Sequence, residues 1–338
     1  MRSYILRLWH RTEGPGVLSF TDLDASATQT RERPLGLGAL EDLVRQIDAA
    51  ESSVPYPAEV IGDALYSWLS GPEGWLEPLM SERSDVALHL EGTGPFARLP
   101  WEVLHRTTFL CAHPHRLLTP VRRVPGAASR LVAVAQNRPL RVLFMATSPE
   151  FVHPVLDFER EEARILDATR AQPIDLVVEE SGTLRGLKEH LRDVGAEHFD
   201  VVHLSGHAGH EGDRPCFYFE DDRGGVDPVF ADDLARAFET AWPRLLFLSG
   251  CSTGGGPAAE RGDLPSLYES LVAAGAPAVL GWSLPVGDAA ATLAAESLYD
   301  GLGAGGRIDE AAASARRKLF EEFEEGVIGD AERLSPVF

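Results

Sequence analysis

The chain has few cysteines and few basic residues for its 338 residues. Its three cysteines, Cys111, Cys216 and Cys251, are too few and too scattered for a disulfide framework, and we expect them to be reduced. The 31 basic residues are outnumbered by 52 acidic ones, which gives a formal net charge of −21. This excess of acid argues against direct binding of nucleic acid, because contact with phosphates needs clustered Lys and Arg.

Long hydrophobic runs are also missing. No apolar stretch reaches the ~20 residues that a membrane-spanning helix needs, so we expect no membrane association. The N-terminus lacks the apolar segment and small-residue cleavage site of a signal peptide, and we therefore expect a cytoplasmic protein. A hydrophobic content of 44% is enough for a packed core, and the length suggests about two domains.

Two short apolar runs, Asp200–His207 and Arg244–Cys251, each end in a reactive side chain. Both are rich in β-branched or aromatic residues and are interrupted by Gly, which predicts strands buried on both faces of a parallel sheet. His207 and Cys251 are then expected just past the carboxyl ends of their strands. Open α/β sheets carry their chemistry along that edge, where a thiol and an imidazole make a nucleophile and its base.

Two other interpretations compete with this one. Cys251 could be a small buried hydrophobe and His207 an ordinary loop histidine, although their matched strand-end contexts favour catalysis. Alternatively, the stretch Gly250–Gly254 fits the G-x-S-x-G elbow, which would make Ser252 a nucleophile. The elbow leads straight into a helix, whereas Gly254–Pro257 cannot start one at once, so Ser252 ranks below Cys251.

The motifs His-Leu-Ser-Gly-His at 203–207 and Leu-Ser-Gly-Cys-Ser-Thr-Gly at 248–254 resemble the CHAT family of caspase-like and separase-like cysteine peptidases. Leu-Pro-Trp-Glu-Val-Leu at 99–104 and Ala-Ala-Gly-Ala-Pro-Ala-Val-Leu-Gly at 273–281 agree with it, and the resemblance covers about residues 85–325. It implies a caspase-hemoglobinase fold: a three-layer α/β sandwich with a mostly parallel sheet and helices on both faces.

The resemblance also implies a Cys251–His207 dyad without a cofactor, a metal or a firmly required third acid. The oxyanion hole would use the backbone N–H of Cys251 and of Ala208 or Gly209, in a turn expected at residues 206–209. Ala208 departs from the family pattern, in which Gly often follows the histidine. Two residues could be considered as a group that orients the His207 imidazole. His203 lies inside a strand buried on both faces and is expected in the core, and Asp200 lies at the wrong end of the same strand.

Cys and His are also zinc ligands, so two metal sites come into question. One would use Cys111, His113 and His115, which share a single alternating stretch interrupted by Pro114. The other would use His203, His210 and Cys216, whose side chains are expected to leave a strand and a loop in different directions. Neither arrangement offers a convincing ligand set.

Three acids near the expected groove could form a substrate pocket. Asp288 follows another predicted strand, and Glu260 and Asp263 lie in the loop after the nucleophile. An acid there would favour a basic residue before the scissile bond. Plain surface charge is the alternative.

The chain divides into an expected N-terminal α+β subdomain at 1–130, pseudo-caspase-like or a docking region, and a CHAT peptidase core at 131–338. The first part begins with a predicted hairpin, Ser3–Trp9 with Gly16–Leu23, and a helix is predicted to start at Leu99–Glu102. The second part alternates strands and helices, typical of a parallel sheet. It begins with a predicted strand at Leu140–Ala146, a helix at Phe158–Thr169 and a strand at Ile174–Glu179, followed by a helix that Ser181 or Thr183 would cap.

These patterns predict a regulated cysteine endopeptidase that cleaves partner proteins. The resemblance is to a family whose peptidases are commonly joined to sensor or partner modules, and it implies an enzyme that stays latent until a sensor or regulatory protein, or a fused domain, activates it. Residues 253–263 hold four glycines in eleven residues, enough freedom for a loop that orders on activation. A catalytically inactive caspase-like module that binds proteins and a serine hydrolase using Ser252 are the alternatives.

Overall fold

The computed structural model describes most of the chain in separate stretches: residues 2–10, 16–23, 30–35, 42–45, 57–81, 84–92, 96, 99–113, 118–126, 137–153, 158–170, 172–195, 198–212, 214–238, 241–252, 267–282, 286–329 and 336–337. The chain forms two compact units, Met1–Pro125 with Ala312–Leu334, and Gly126–Ala311 with Ser335–Phe338. The domain boundary expected from sequence, between 130 and 131, lies outside the described residues.

The described residues of the first unit include a five-stranded sheet, helices and a short strand pair. Their bounds are β1 (Arg2–His10), β2 (Gly16–Asp22), β3 (Thr30–Leu35), α1 (Ala58–Ser70), α2 (Glu77–Ser81), β4 (Val86–Gly92), the short pair β5 (His105–Arg106) and β6 (Thr108–Phe109), and β7 (Leu118–Arg123). The sheet order is β3-β2-β1-β4-β7. β1 and β2 pair antiparallel, as the predicted hairpin requires, whereas β4 lies parallel to both β1 and β7.

The prediction of a helix that starts at Leu99 is wrong. Only one 3-10 turn forms, at Trp101–Val103, and the chain then enters β5. All four side chains of residues 101–104 are buried, which a helix with one exposed face cannot achieve. The backbone of α1 also lies close to this turn: a Cβ at Gly62 would be only 2.0 Å from the carbonyl oxygen of Val103.

A buried charge cluster lies in the first unit. Glu102, 2% exposed, accepts two hydrogen bonds from the Arg122 guanidinium, at 3.0 and 2.7 Å. Arg316 is 1% exposed and donates to Thr119 Oγ1 and to the carbonyl oxygen of Pro120. Burial lowers the pKa of Arg316, and the charge of Glu102 opposes that shift.

The second unit contains an eight-stranded sheet. Its elements are β8 (Leu140–Ala146), α3 (Phe158–Thr169), β9 (Ile174–Glu179), α4 (Leu184–Val194), β10 (Val201–Glu211), β11 (Arg214–Glu220), β12 (Val226–Phe230), α5 (Ala231–Ala237), β13 (Leu245–Ser252), α6 (Leu267–Ala274), β14 (Val279–Trp282), α7 (Asp288–Gly303), α8 (Ile308–Glu324), which continues into the first unit, and β15 (Pro336–Val337). The strands β9, β8, β10, β13 and β14 pair parallel in that order. The predicted mostly parallel α/β sheet is therefore confirmed.

Helices cover both faces of this sheet. On one face, Leu187, Leu234 and Leu271 from α4, α5 and α6 join an apolar cluster with residues of β8, β10, β11 and β13. On the other face, Tyr299 of α7 reaches His203 of β10. The three-layer arrangement follows from strands that are apolar on both sides.

Two strands run further than predicted. Strand β10 continues through Gly206 and His207 to Glu211, and β13 includes Gly250, Cys251 and Ser252. The reason is a change of partner: β8 pairs with β10 up to Ser205, and β11 pairs with it antiparallel from His207 onward. The glycines therefore do not end the strands, and the turn expected at residues 206–209 is wrong.

Candidate functional site

His207 and Cys251 are opposite each other in the sheet. The parallel register of β10 and β13 runs from Val201 opposite Leu245 to Ala208 opposite Ser252, and it pairs His207 with Cys251. Neighbouring strands lie about 4.8 Å apart, and paired positions share one face of the sheet. The fold thus places positions 207 and 251 side by side on one face.

Two matched glycines precede this pair and allow an aromatic ring to pack under it. A Cβ at Gly206 would lie 2.9 Å from the Phe217 ring and 2.2 Å from Thr147 Oγ1, and one at Gly250 would lie 2.7 Å from the same ring. Phe217 is fully buried. The glycines of the two motifs therefore serve close packing on the face opposite to His207.

His207 lies in the interior, with only 1% of its surface exposed. It has a strand on each side, β13 and β11, and its partner on β11 is Tyr218. Thr147, just after β8, connects three strands here: its amide donates to the carbonyl of Ser205 at 2.8 Å, and its hydroxyl donates to the carbonyl of Tyr218 at 2.8 Å. The backbone around the imidazole is therefore held from several sides.

Ala208 and Gly209, which were predicted to help form the oxyanion hole, lie in β10 where it pairs with β13 and β11. Ala208 is opposite Ser252 on β13, and Gly209 is opposite Cys216 on β11. A Cβ at Gly209 would lie 2.4 Å from the Tyr218 phenol oxygen, so a side chain at this position would have to displace the Tyr218 ring. The absence of a side chain at 209 therefore reflects close packing of Tyr218.

His203 lies on the same face as His207, four residues earlier, but deep in the core. Its ring stacks on Phe247 with centroids 4.2 Å apart, and its Nδ1 is 3.1 Å from the Tyr299 hydroxyl. Burial lowers the pKa of His203 to about 3, so the ring is neutral at ordinary pH. Asp200 is remote, at the other end of β10, where Arg138 donates to both of its carboxylate oxygens.

Ser252 has a different position from Cys251. It lies within β13, opposite Ala208, rather than on a turn that leads into a helix. Because side chains alternate along a strand, position 252 belongs to the face opposite to His207. This placement disfavours the elbow interpretation.

The residues considered for zinc do not form a ligand group. Among the described residues, no cluster of three His, Cys, Asp or Glu side chains could hold a metal ion. Cys111 is buried and donates to the carbonyl of Glu102, while His115 lies outside the described residues. Burial raises the pKa of Cys216 to about 11, and hydrogen bonds from Tyr218 and the backbone of Glu211 and Gly209 only partly offset this.

The three pocket acids are not described in side-chain detail. Asp288 is the first residue of α7, and Glu260 and Asp263 fall in a range outside the described residues. The sequence interpretation missed Tyr218. The alternation of Cys216, Tyr218 and Glu220 along the sequence was the available signal, because in a strand it places these three side chains on one face.

No helix in the described part of the chain has the length and apolarity to cross a membrane. In sequence, the CHAT domain model matches residues 59–325, more than half of the chain. No curated protein matches the chain significantly.

Similar folds occur among solved structures. Crystal structures of the Saccharomyces cerevisiae separase–securin complex at 3.0 and 2.6 Å resolution match with a TM-score of 0.53 and 13% identity. The match covers 99% of this chain but only 29% and 30% of the other chains, so this chain spans less than a third of their length. The Arg-specific cysteine proteinase gingipain R matches with a TM-score of 0.47 and 11% identity, over 88% of this chain and 72% of its own.

Proposed function

We propose that this chain, which belongs to the CHAT domain family, is a caspase-like cysteine endopeptidase that cleaves partner proteins with Cys251 and His207. The observation that supports this most directly is the parallel register that pairs these two positions. A nucleophile and its base must lie within hydrogen-bond reach, and neighbouring positions on one sheet face provide that proximity.

In the proposed reaction, the imidazole of His207 takes the proton of the Cys251 thiol, and the thiolate attacks the carbonyl carbon of the substrate. The C–N bond then breaks as the imidazolium protonates the leaving amine, which leaves an acyl-enzyme thioester. A water molecule, deprotonated by His207, attacks the thioester and regenerates the thiol. The buried position of His207 supports this role, because excluding bulk water strengthens the pairing of imidazolium and thiolate.

The oxyanion of the tetrahedral intermediate would be stabilised by backbone amides. We assign this role to the N–H of Cys251 together with that of Ala208 or Gly209. Residues 208 and 209 directly follow His207, and the register places Ala208 opposite Ser252, so these amides lie close to the Cys251–His207 pair.

A basic residue before the scissile bond is the proposed preference. It rests on Asp288, the first residue of α7, which lies six positions after Trp282 at the end of β14, and on the acids Glu260 and Asp263. Carboxylates at the groove would attract Lys or Arg and repel acidic side chains.

Regulation is the remaining part of the proposal. Residues 253–263 directly follow the nucleophile in sequence and hold four glycines, a composition suited to a segment that orders when a sensor or regulatory partner binds. Such ordering would bring the thiol and the oxyanion amides into their active arrangement. The isolated chain would then be a latent peptidase in the cytoplasm.

Proteome-scale cleavage by purified protein tests the peptidase assignment. Wild type is compared with Cys251→Ala, and Ser252→Ala serves as a matched control one residue away. When candidate activators are present, new protein N-termini are expected with wild type and with Ser252→Ala but not with Cys251→Ala. The same fragments with Cys251→Ala would contradict the assignment. If no variant cleaves and an electrophilic thiol probe does not label Cys251 in the wild type, the inactive binding module is the better description.

A further inference from the structure

Three strands carry a row of three side-chain positions across one face of the sheet. Cys251 of β13 is opposite His207 of β10, and His207 is in turn opposite Tyr218 of β11. The imidazole position thus lies between the thiol position and a phenol. Paired positions in an antiparallel ladder have Cβ atoms about 4.5–5.5 Å apart, so Tyr218 is a direct neighbour of His207.

The ring of Tyr218 has a defined location. It lies over Gly209, where a Cβ would be 2.4 Å from its hydroxyl oxygen, 2.8 Å from Cζ and 2.9 Å from Cε2. Because Gly209 and His207 share a face two residues apart, the ring covers the stretch of β10 that directly follows the imidazole. Its backbone is fixed by the hydrogen bond from Thr147, which also binds Ser205 of β10.

The phenol group is held as well. It hydrogen-bonds to Cys216, and burial raises the pKa of both groups, that of Cys216 to about 11. Both remain protonated near neutral pH, so the pair is an uncharged hydrogen bond that keeps the phenol aligned along β11. Tyr218 therefore presents a rigid flat ring on the side of His207 away from position 251.

We propose that Tyr218 is a positioning residue for His207, confining the imidazole to the orientation that faces Cys251. This inference rests on the proposed function of the dyad. A histidine side chain has several staggered rotamers, and a base that spends time turned away from its nucleophile catalyses correspondingly less. The Tyr218 ring fills the space into which the imidazole would otherwise turn, and Gly209 is required because only a residue without Cβ leaves room for that ring.

Alkylation of Cys251 by iodoacetamide reports the arrangement without a known substrate. The rate at each pH follows the thiolate fraction, and an imidazolium nearby lowers the thiol pKa. Modification is read at residue 251 by peptide mapping, which separates it from the buried Cys111 and Cys216. Wild type is expected to react at pH 7 at least about tenfold faster than an ordinary thiol with a pKa of about 8.5.

Tyr218→Ala is expected to slow this reaction about tenfold at pH 7, as the pKa of the Cys251 thiol rises by about one. Tyr218→Phe keeps the flat ring and should retain nearly the wild-type rate. Phe230→Ala, which removes a ring from the next strand of the same hairpin, controls for general loosening and should change the rate less than about twofold. If Tyr218→Ala does not fold, Tyr218→Leu replaces it, with the same expectation because its side chain is apolar but not flat.

A double substitution tests the link to Gly209. Gly209→Ala should displace the ring and slow alkylation, while Tyr218→Ala relieves the clash, so Gly209→Ala should slow the reaction no further in the Tyr218→Ala background. The outcomes separate the two proposals. Fast wild-type alkylation that Tyr218→Ala leaves unchanged would overturn the positioning role alone. A wild-type Cys251 that reacts no faster than an ordinary thiol would overturn the dyad and the positioning role together.

Discussion

His207 and Cys251 are 44 residues apart in sequence and occupy paired positions on adjacent parallel strands. The segments that end in them have equal lengths, since Val201 and Leu245 are paired at their starts. A shift of one residue in this register would move one of the two positions to the opposite face of the sheet. The register of β10 and β13 is therefore the feature on which the proposed chemistry depends.

If Cys251 and His207 form a dyad, the losses of activity caused by substituting them should be strongly non-additive. Cys251→Ala and His207→Ala should each lower kcat/KM for peptide cleavage by at least about a thousandfold, and the double variant should be no worse than either, because the two residues act as one unit. Ser252→Ala should retain appreciable activity. Turnover of a cleavable peptide, with melting temperatures as the folding control, measures this. Loss of activity in Ser252→Ala equal to that in Cys251→Ala, at unchanged melting temperature, would support the serine alternative.

We expect the enzyme to prefer substrates with a basic residue directly before the scissile bond. A peptide library should show Lys or Arg at that position, and Asp288→Asn should weaken this preference about tenfold, since it removes one carboxylate from the proposed pocket. Asp300→Asn, near the other end of α7, is the matched control and should have no effect. A dominant preference for Asp or Leu would exclude this model of the pocket.

The buried carboxylate of the first unit predicts a large loss of stability. Glu102→Gln leaves Arg122 and the buried Arg316 without their counter-charge and should lower the free energy of unfolding by about 3–5 kcal/mol. Glu91→Gln breaks the more exposed pair with Arg7, 3.2 Å long, and should cost about 0–1 kcal/mol. Urea unfolding of both variants measures the difference. Equal losses would show that Glu102 does not balance these charges.

The lowered pKa of the buried His203 predicts that the protein loses stability in acid. The pKa of His203 is 6.5 in the unfolded chain and about 3 in the folded protein, because burial disfavours the charged ring. Between these two pH values, the unfolded chain therefore binds more protons than the folded protein does. The free energy of unfolding is unaffected by protonation of His203 above pH 6.5. As the pH falls from 6.5 toward 3, it decreases by up to about 1.4 kcal/mol per pH unit.

Urea unfolding across pH 3–7 checks this expectation. His203→Leu should flatten the dependence of the unfolding free energy on pH, whereas Phe247→Leu, a change in the ring stacked on His203, should lower stability without altering the slope. Identical slopes in the wild type and His203→Leu would show that His203 does not carry the acid sensitivity.

Latency predicts low turnover by the isolated chain. Activity should rise when the products of neighbouring genes or candidate small-molecule activators are added, and residues 253–263 should gain protection from hydrogen exchange when a covalent inhibitor binds. Full activity of the isolated chain, unchanged by any partner, together with equal protection of this segment before and after inhibition, would rule out the switch.

Local sequence patterns were enough to predict the parallel strands and several of the elements around them. Strand β8, helix α3 and strand β9 have the predicted bounds, because their alternation and periodicity are local properties of the chain. The hydroxyl of Thr183, one of the two predicted capping residues, accepts a hydrogen bond from the amide of Gly186 at the start of α4. The CHAT family was also recognisable from short motifs, and the family model match confirms it.

Only the tertiary structure decided how those strands continue and what surrounds their ends. The sequence interpretation ended both strands at Gly206 and Gly250, but β11 takes over pairing where β8 stops, and the Phe217 ring packs against the two glycines. It also could not place Tyr218 beside His207 or assign residues 312–334 to the first unit. Strand pairing, ring packing and unit membership depend on residues distant in sequence, and no local pattern of apolar and polar residues encodes such contacts.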